Sequence, residues 1–196
     1  MSDEKPAGSA QQAPVRYPGA HDVSRVAAGS YKVEPDHTQA LFTLNHLGFT
    51  LYTGQFIQPS GSLTIDPADP DNTKVDVTFA IAPVSTTSAH LNEVLQSAEF
   101  FDAAKFPEAR FTSTKVVANG SDATVDGNLT IKGITKPATL QVRFVGAGTN
   151  PRPPNKATIG FAATAVVKRS DFGINFGVPI ISDRVDLAIN AAFEAE

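Results

Sequence analysis

Lys74-Val75-Asp76-Val77-Thr78-Phe79-Ala80-Ile81 is the stretch that decides the fold. Successive side chains of an extended chain point to opposite faces. Val75, Val77, Phe79 and Ile81 therefore share one face, and Lys74, Asp76 and Thr78 share the other. That is a strand with one buried side. The same alternation recurs downstream. Val125, Leu129 and Ile131, with Gly127 on their side, oppose Asp126, Asn128 and Thr130. Leu140, Val142 and Phe144 oppose Gln141 and Arg143. Ile159, Phe161, Ala163, Ala165 and Val167 form a further face, and Val185, Leu187, Ile189, Ala191 and Phe193 the last. Turn-forming clusters at 67–72, 119–122 and 146–155 separate these runs. Many strands joined by turns, without intervening helices, predict an all-β antiparallel barrel or sandwich.

One segment departs from this period. Between Ser88 and Asp102, the residues Leu91, Val94, Leu95, Ala98 and Phe101 recur at helical spacing, while Asn92, Glu93, Gln96 and Glu99 face away. A single amphipathic helix is expected there, ended before Pro107, with its apolar stripe laid on the flank or open end of the sheet.

Composition narrows the function classes. A chain of 196 residues suits one domain with a substantial core. The formal net charge is −4 with both signs scattered, so there is no basic face for nucleic acid. Phe outnumbers Tyr by 13 to 3 and Trp is absent, which favours apolar area over polar aromatic recognition. The absence of cysteine excludes disulfides, thiolate metal sites and cysteine nucleophiles. Apolar runs such as Phe161 to Val167 fall far short of the ~20 residues of a spanning helix, so no stable membrane insertion is expected. Residues 1–20 have no apolar h-region. We read residues 1–30 as a flexible lead-in left after removal of a signal, which points to the periplasm; a cytoplasmic chain is the alternative. The folded domain is expected over residues 31–196.

Reactive groups are scarce. His21, His37, His46 and His90 show no spacing that aims two imidazoles at one metal, so neither a metal nor another cofactor is expected. His21 falls in the lead-in and His37 in an expected turn after Pro35. His46 shares a face with Phe42 and Leu44. It is either a core histidine bonded to its neighbours or a polar tether at the barrel end. No nucleophile elbow occurs, and no carboxylate lies on an apolar face where burial would raise its pKa for acid–base work. The expectation is a protein that is not an enzyme. At about eight strands, a barrel interior is wide enough to be filled by side chains or to hold one ligand. The small Ala162, Ala163 and Ala165 tip the balance toward space.

Several fragments follow one another in order along the chain. Tyr31-x-x-Glu34-x-Asp36-His37 is followed by Phe42 and His46, then by Gly54-x-Phe56 and Gly61-x-Leu63-x-Ile65-Asp66. Ala98-Glu99-Phe100-Phe101-Asp102, Phe106-Pro107 and Phe111-x-Ser113-Thr114 come next. The stretch from Gly127 to Lys136 is the most distinctive, and Lys168-Arg169-Ser170-Asp171-Phe172-Gly173 and Ser182-Asp183-x-Val185 complete the order. In this order the fragments resemble the YceI-like proteins, lipocalin-like carriers of bacteria, and the resemblance implies an eight-stranded antiparallel barrel with a helix near its mouth. It also implies an elongated pore for a polyisoprenoid or another long-chain lipid, such as an isoprenoid quinone. From strand parity we expect Phe42, Leu44, Phe79, Phe111, Leu129, Val142, Phe144 and Phe161 to line that pore, with His46 beside them. Leu91, Leu95 and Phe101 are expected to close one end. A barrel leaves few sheet edges, so a monomer, or a homodimer through helix or loops, is expected. The competing readings are a structural or stress-response barrel with a filled core, and an isoprenoid-modifying enzyme that uses His46.

Overall fold

The computed structural model describes residues 14–196. Ten strands and one helix follow in chain order: β1 (Gly19–Ala20), β2 (Gly29–His46), β3 (Thr50–Phe56), β4 (Pro59–Ile65), β5 (Lys74–Ala80), α1 (Ala89–Gln96), β6 (Glu108–Asn119), β7 (Asp122–Ile131), β8 (Ile134–Thr149), β9 (Ala157–Lys168) and β10 (Arg184–Ala195). All pairings are antiparallel. From β4 to β10 each strand pairs with its neighbour in sequence, and β2 pairs with β10 to close the sheet on itself. β3 and β4 lie end to end along the long β2, facing Ala40–His46 and Gly29–Lys32 respectively, so together they make one stave. The result is a closed barrel of eight staves.

The alternating faces fall as the sequence predicts. Val75, Val77 and Phe79 point into the barrel, whereas Asp76 on the outer face holds Arg110 in an ion pair. The β7–β8 hairpin turns on two residues, Lys132 and Gly133, both left-handed at φ 51° and 73°. Such a turn matches the twist of the strands it joins. Two inner glycines exist for ring packing. A Cβ on Gly54 would overlap the Phe42 ring, and one on Gly127 would overlap the Phe111 ring.

Three local expectations need correction. α1 ends at Gln96 rather than running to Asp102. The chain reverses there: the amides of Phe101 and Ala103 donate to the carbonyls of Leu95 and Gln96 (3.0 and 2.9 Å), with Asp102 left-handed at φ 50°. Phe101 thus reaches the helix's apolar side through a turn. His37 lies inside β2, in a bulge where the Glu34 carboxylate accepts the amides of Asp36 and His37 (3.1 and 2.9 Å). Finally, the lead-in is tied down in part. Gly19 and Ala20 pair with Gly148 and Ala147 of β8 just where β7 ends, and the His21 ring lies 5.4 Å from that of Phe144.

Candidate functional site

The barrel interior has two parts. Tyr31, Val33, Leu63, Phe144, Ala147, Ile159 and Phe193 form a packed core on the β2, β8, β9 and β10 side. Alongside it runs a cavity of about 350 Å³, walled mainly by inward side chains of β5 to β10. This lies within the ~300–1,000 Å³ typical of small-ligand pockets. Parity explains the wall. Phe79, Phe111, Leu129, Val142, Phe144 and Phe161, six of the expected lining residues, all border the cavity. The inner face of β9 contributes only methyl groups at Ala163 and Ala165, leaving room opposite the Phe rings.

The cavity has a mouth and a floor. Val23 and Val26, the turn residues Pro67, Pro70 and Thr73, and Gly120, Ser121 and Asp122 border one end. The other end is plugged by Phe42, Val84, Leu95 and Val185, with Leu44, Phe56, Leu91, Phe100 and Phe101 packed against them. Phe42 and Leu44 point inward, yet belong to this plug and do not border the cavity, because parity fixes the face of a strand residue and not its height along the barrel. The same correction applies to His46. It stands at the last residue of β2, bridged to Ile181, its ring 6.3 Å from that of Tyr52. His46 does not border the cavity. Leu91, Leu95 and Phe101 lie together in the plug.

Polar chemistry inside is spent on the fold. The buried Thr38 hydroxyl accepts the Ala192 amide at 2.9 Å and donates to the Ala192 carbonyl at 3.3 Å. Arg110 borders the cavity through its strand, but its guanidinium is committed to Asp76 on the outer face. What is left to meet a ligand in the interior is hydrocarbon and aromatic surface, which favours apolar chains in proportion to the area removed from water.

A latch unseen in the sequence holds the plugged end. Arg169 is buried, and its guanidinium donates to three carbonyls of one loop: Ser182 (2.9 Å), Ile174 (3.2 Å) and Ile181 (2.7 Å). Beside it, the Asp183 carboxylate accepts the Ser170 amide (2.8 Å) and hydroxyl (2.7 Å). The fragments 168–173 and 182–183 stood out in the sequence only by resemblance, with no pairing between them implied. Nothing in them says that one arginine will serve three carbonyls of the loop that follows it. The mouth residues Val23 and Val26 were likewise unreadable, since no period runs through them.

Desolvation pushes the Asp183 carboxyl up. The Ser170 hydrogen bonds and the charges of Arg169 and Lys168 outweigh it, so the pKa lies below the usual 3.8. A carboxylate with a lowered folded pKa stabilises the fold above its unfolded pKa and loses that contribution as pH falls through the folded value. Melting temperature should therefore fall more steeply between pH 5 and pH ~3 in the native chain than in Asp183→Asn. Parallel curves would remove this carboxylate from the latch.

Comparisons with known proteins agree with this architecture. The family described as "YceI-like domain" matches residues 31–193. A protein named YceI from Salmonella arizonae is 38% identical over 165 residues, covering 83% of this chain and 85% of its own. The crystal structure of a Campylobacter jejuni YCEI protein superposes with a TM-score of 0.68 at 30% identity, over 78% of this chain and 90% of that one. The structure of a polyisoprenoid binding domain from Saccharophagus degradans shares the fold, with a TM-score of 0.60 at 17% identity, over 85% and 98% of the two chains.

Proposed function

The chain belongs to the YceI-like family, and we propose that it carries a long apolar lipid, of the polyisoprenoid or isoprenoid quinone kind, in the barrel cavity without transforming it. The observation that carries this reading is the cavity: set beside a packed core, walled by Phe, Val, Leu and Ala, and without a free polar anchor in its depth. Its chemistry suits a chain that needs no head-group contact. Burying ten chain carbons contributes roughly 8 kcal/mol at ~0.8 kcal/mol each. Ordering costs offset part of that, which leaves room for micromolar affinity. The polyisoprenoid class is supported further by the Saccharophagus degradans domain, whose description names that ligand on the same fold. A polar head would remain at the mouth, near Thr73, Ser121 and Asp122.

The non-catalytic part of the proposal rests on the position of His46. The one imidazole that a modifying enzyme was expected to use stands beyond the plug, away from any bound chain. Periplasmic residence is also proposed, from the lack of cysteine. One experiment tests both. The chain would be released from expressing cells by osmotic shock, analysed by native mass spectrometry, and extracted for lipid identification. A bound species of a few hundred daltons with an isoprenoid chain is expected. An apo mass that persists after incubation with ubiquinone or polyprenol would overturn the carrier reading. Retention of the chain in the shocked cells would overturn the compartment alone.

A further inference from the structure

Large exposed apolar side chains are unevenly spread. Among the described residues, Phe49 (84% exposed), Leu51 (73%) and Ile180 (68%) stand together with Leu47, Phe176 and Ile134 at the plugged end of the barrel. They form one surface. The Leu47 amide donates to the Ile180 carbonyl at 3.1 Å, and the Ser182 amide to the Asn45 carbonyl at 2.9 Å, which joins the β2–β3 hairpin to the 173–182 loop. Phe176 packs on Phe100 with ring centroids 5.6 Å apart, and Ile134 borders Gly173. The Arg169 latch fixes the loop from beneath.

The same surface is cleared of charge. Residues 41–56, 81–92 and 173–182 meet at this end and contain no Asp, Glu, Lys or Arg. On the helix side of the end, Lys105 is paired with Asp102 at 3.5 Å, and Lys132 donates to the Ala98 carbonyl at 2.8 Å. Exposed apolar clusters of this kind mark interaction sites. We propose that this end docks on a lipid bilayer, seating Phe49, Leu51, Phe176 and Ile180 among the head groups and upper acyl chains.

Two features favour a bilayer over a second copy of the chain. The six side chains offer roughly 600 Å² in all, given ~150–250 Å² for an aromatic ring and partial exposure of the rest. A standard protein interface takes ~800 Å² from each partner, so this patch stands at the lower limit of that class. Strand β3, which pairs only with β2, has its other edge bridged by Ser85 at Gln55 and covered by Thr87 at Tyr52. A fluid bilayer needs neither: apolar tips sink a few ångströms into the interface and are rewarded by area alone. Because the surface carries no cationic cluster, a neutral bilayer suffices. The inference stands apart from the cavity, since docking needs no cargo.

The test is flotation of the whole chain with phosphatidylcholine vesicles, with and without phosphatidylglycerol. The native chain should float with both. The double variant F49D/I180D should lose at least about tenfold in bound fraction, since each Phe or Ile withdrawn from water is worth about that factor or more. V166D, on an exposed apolar residue of the barrel wall, should float like the native chain. Equal melting temperatures for the three would show that all are folded. Failure of the native chain to float, flotation of F49D/I180D at native level, or binding only in the presence of phosphatidylglycerol would each overturn the proposal. Concentration-dependent dimerisation of the native chain without vesicles, abolished in F49D/I180D, would overturn it too, by assigning the surface to a second copy.

Discussion

Ala163→Phe is expected to abolish lipid uptake while leaving the barrel folded. Ala163 sits on the inner face of β9, opposite Val142 of β8 and Ile189 of β10, at mid-height in the cavity wall. A benzyl group there projects into the void and would displace about five chain carbons, or ~4 kcal/mol of transfer energy at ~0.8 kcal/mol each. Affinity for a long-chain quinone, measured by fluorescence quenching or native mass spectrometry, should fall about a thousandfold. Phe brings no polar atom into the interior, and the cavity receives it without forcing neighbours off their rotamers. Melting temperature should therefore hold or rise. The filled-barrel reading makes the opposite forecast. An interior without spare volume would be overpacked, at ~1–3 kcal/mol, with no binding to lose.

Arg169→Ala should destabilise the fold by about 3 kcal/mol, the second large effect. Three loop carbonyls lose their donor at once, and the partly buried Asp183 loses its nearest cation. An unsatisfied buried polar group costs ~1–3 kcal/mol, and water reaching the loop recovers part of the total. For a domain of this size, each kcal/mol shifts the melting temperature by ~2–4 °C, so a fall of roughly 6–12 °C is expected in calorimetry. Arg169→Lys should recover only a fraction, since an ammonium at the end of a flexible stem cannot serve three carbonyls fixed in a planar fork. A variant melting within ~1 °C of the native chain would show that the latch carries no stability.

The sequence was legible where a strong local period exists and where the chain meets its own neighbours. The alternation in 74–81, 140–144 and 185–193 sorted inner from outer residues correctly, because a strand has only two faces. Phe79, Phe111, Leu129, Val142, Phe144 and Phe161 were placed on the inner face by that rule alone. Height along the barrel is a different coordinate, set by strand tilt and stagger. The sequence carries no period for it, so Phe42, Leu44 and His46 were assigned to the pore and belong at its plugged end. α1 was overextended because Ala98 and Phe101 keep helical spacing through a tight reversal. Arg169 was missed for a physical reason as well. Its partners are backbone carbonyls, and a carbonyl has no residue type to read.

The nearest-neighbour order of the staves also bears on how the molecule assembles. From β4 to β10 every pairing joins strands adjacent in sequence, even where α1 intervenes between β5 and β6, and each can form as soon as its two strands exist. The β2–β10 pairing joins Phe42 to Leu187 and cannot be approached piecemeal. Its chain entropy grows only as the logarithm of the loop, but it is due in a single step, after the local pairs have formed. Folding should then pass through an open, curled sheet whose two raw edges meet last. In pulse-labelled hydrogen exchange, amides of β10 facing β2 would acquire protection after those between β6 and β7, and simultaneous protection would contradict this order.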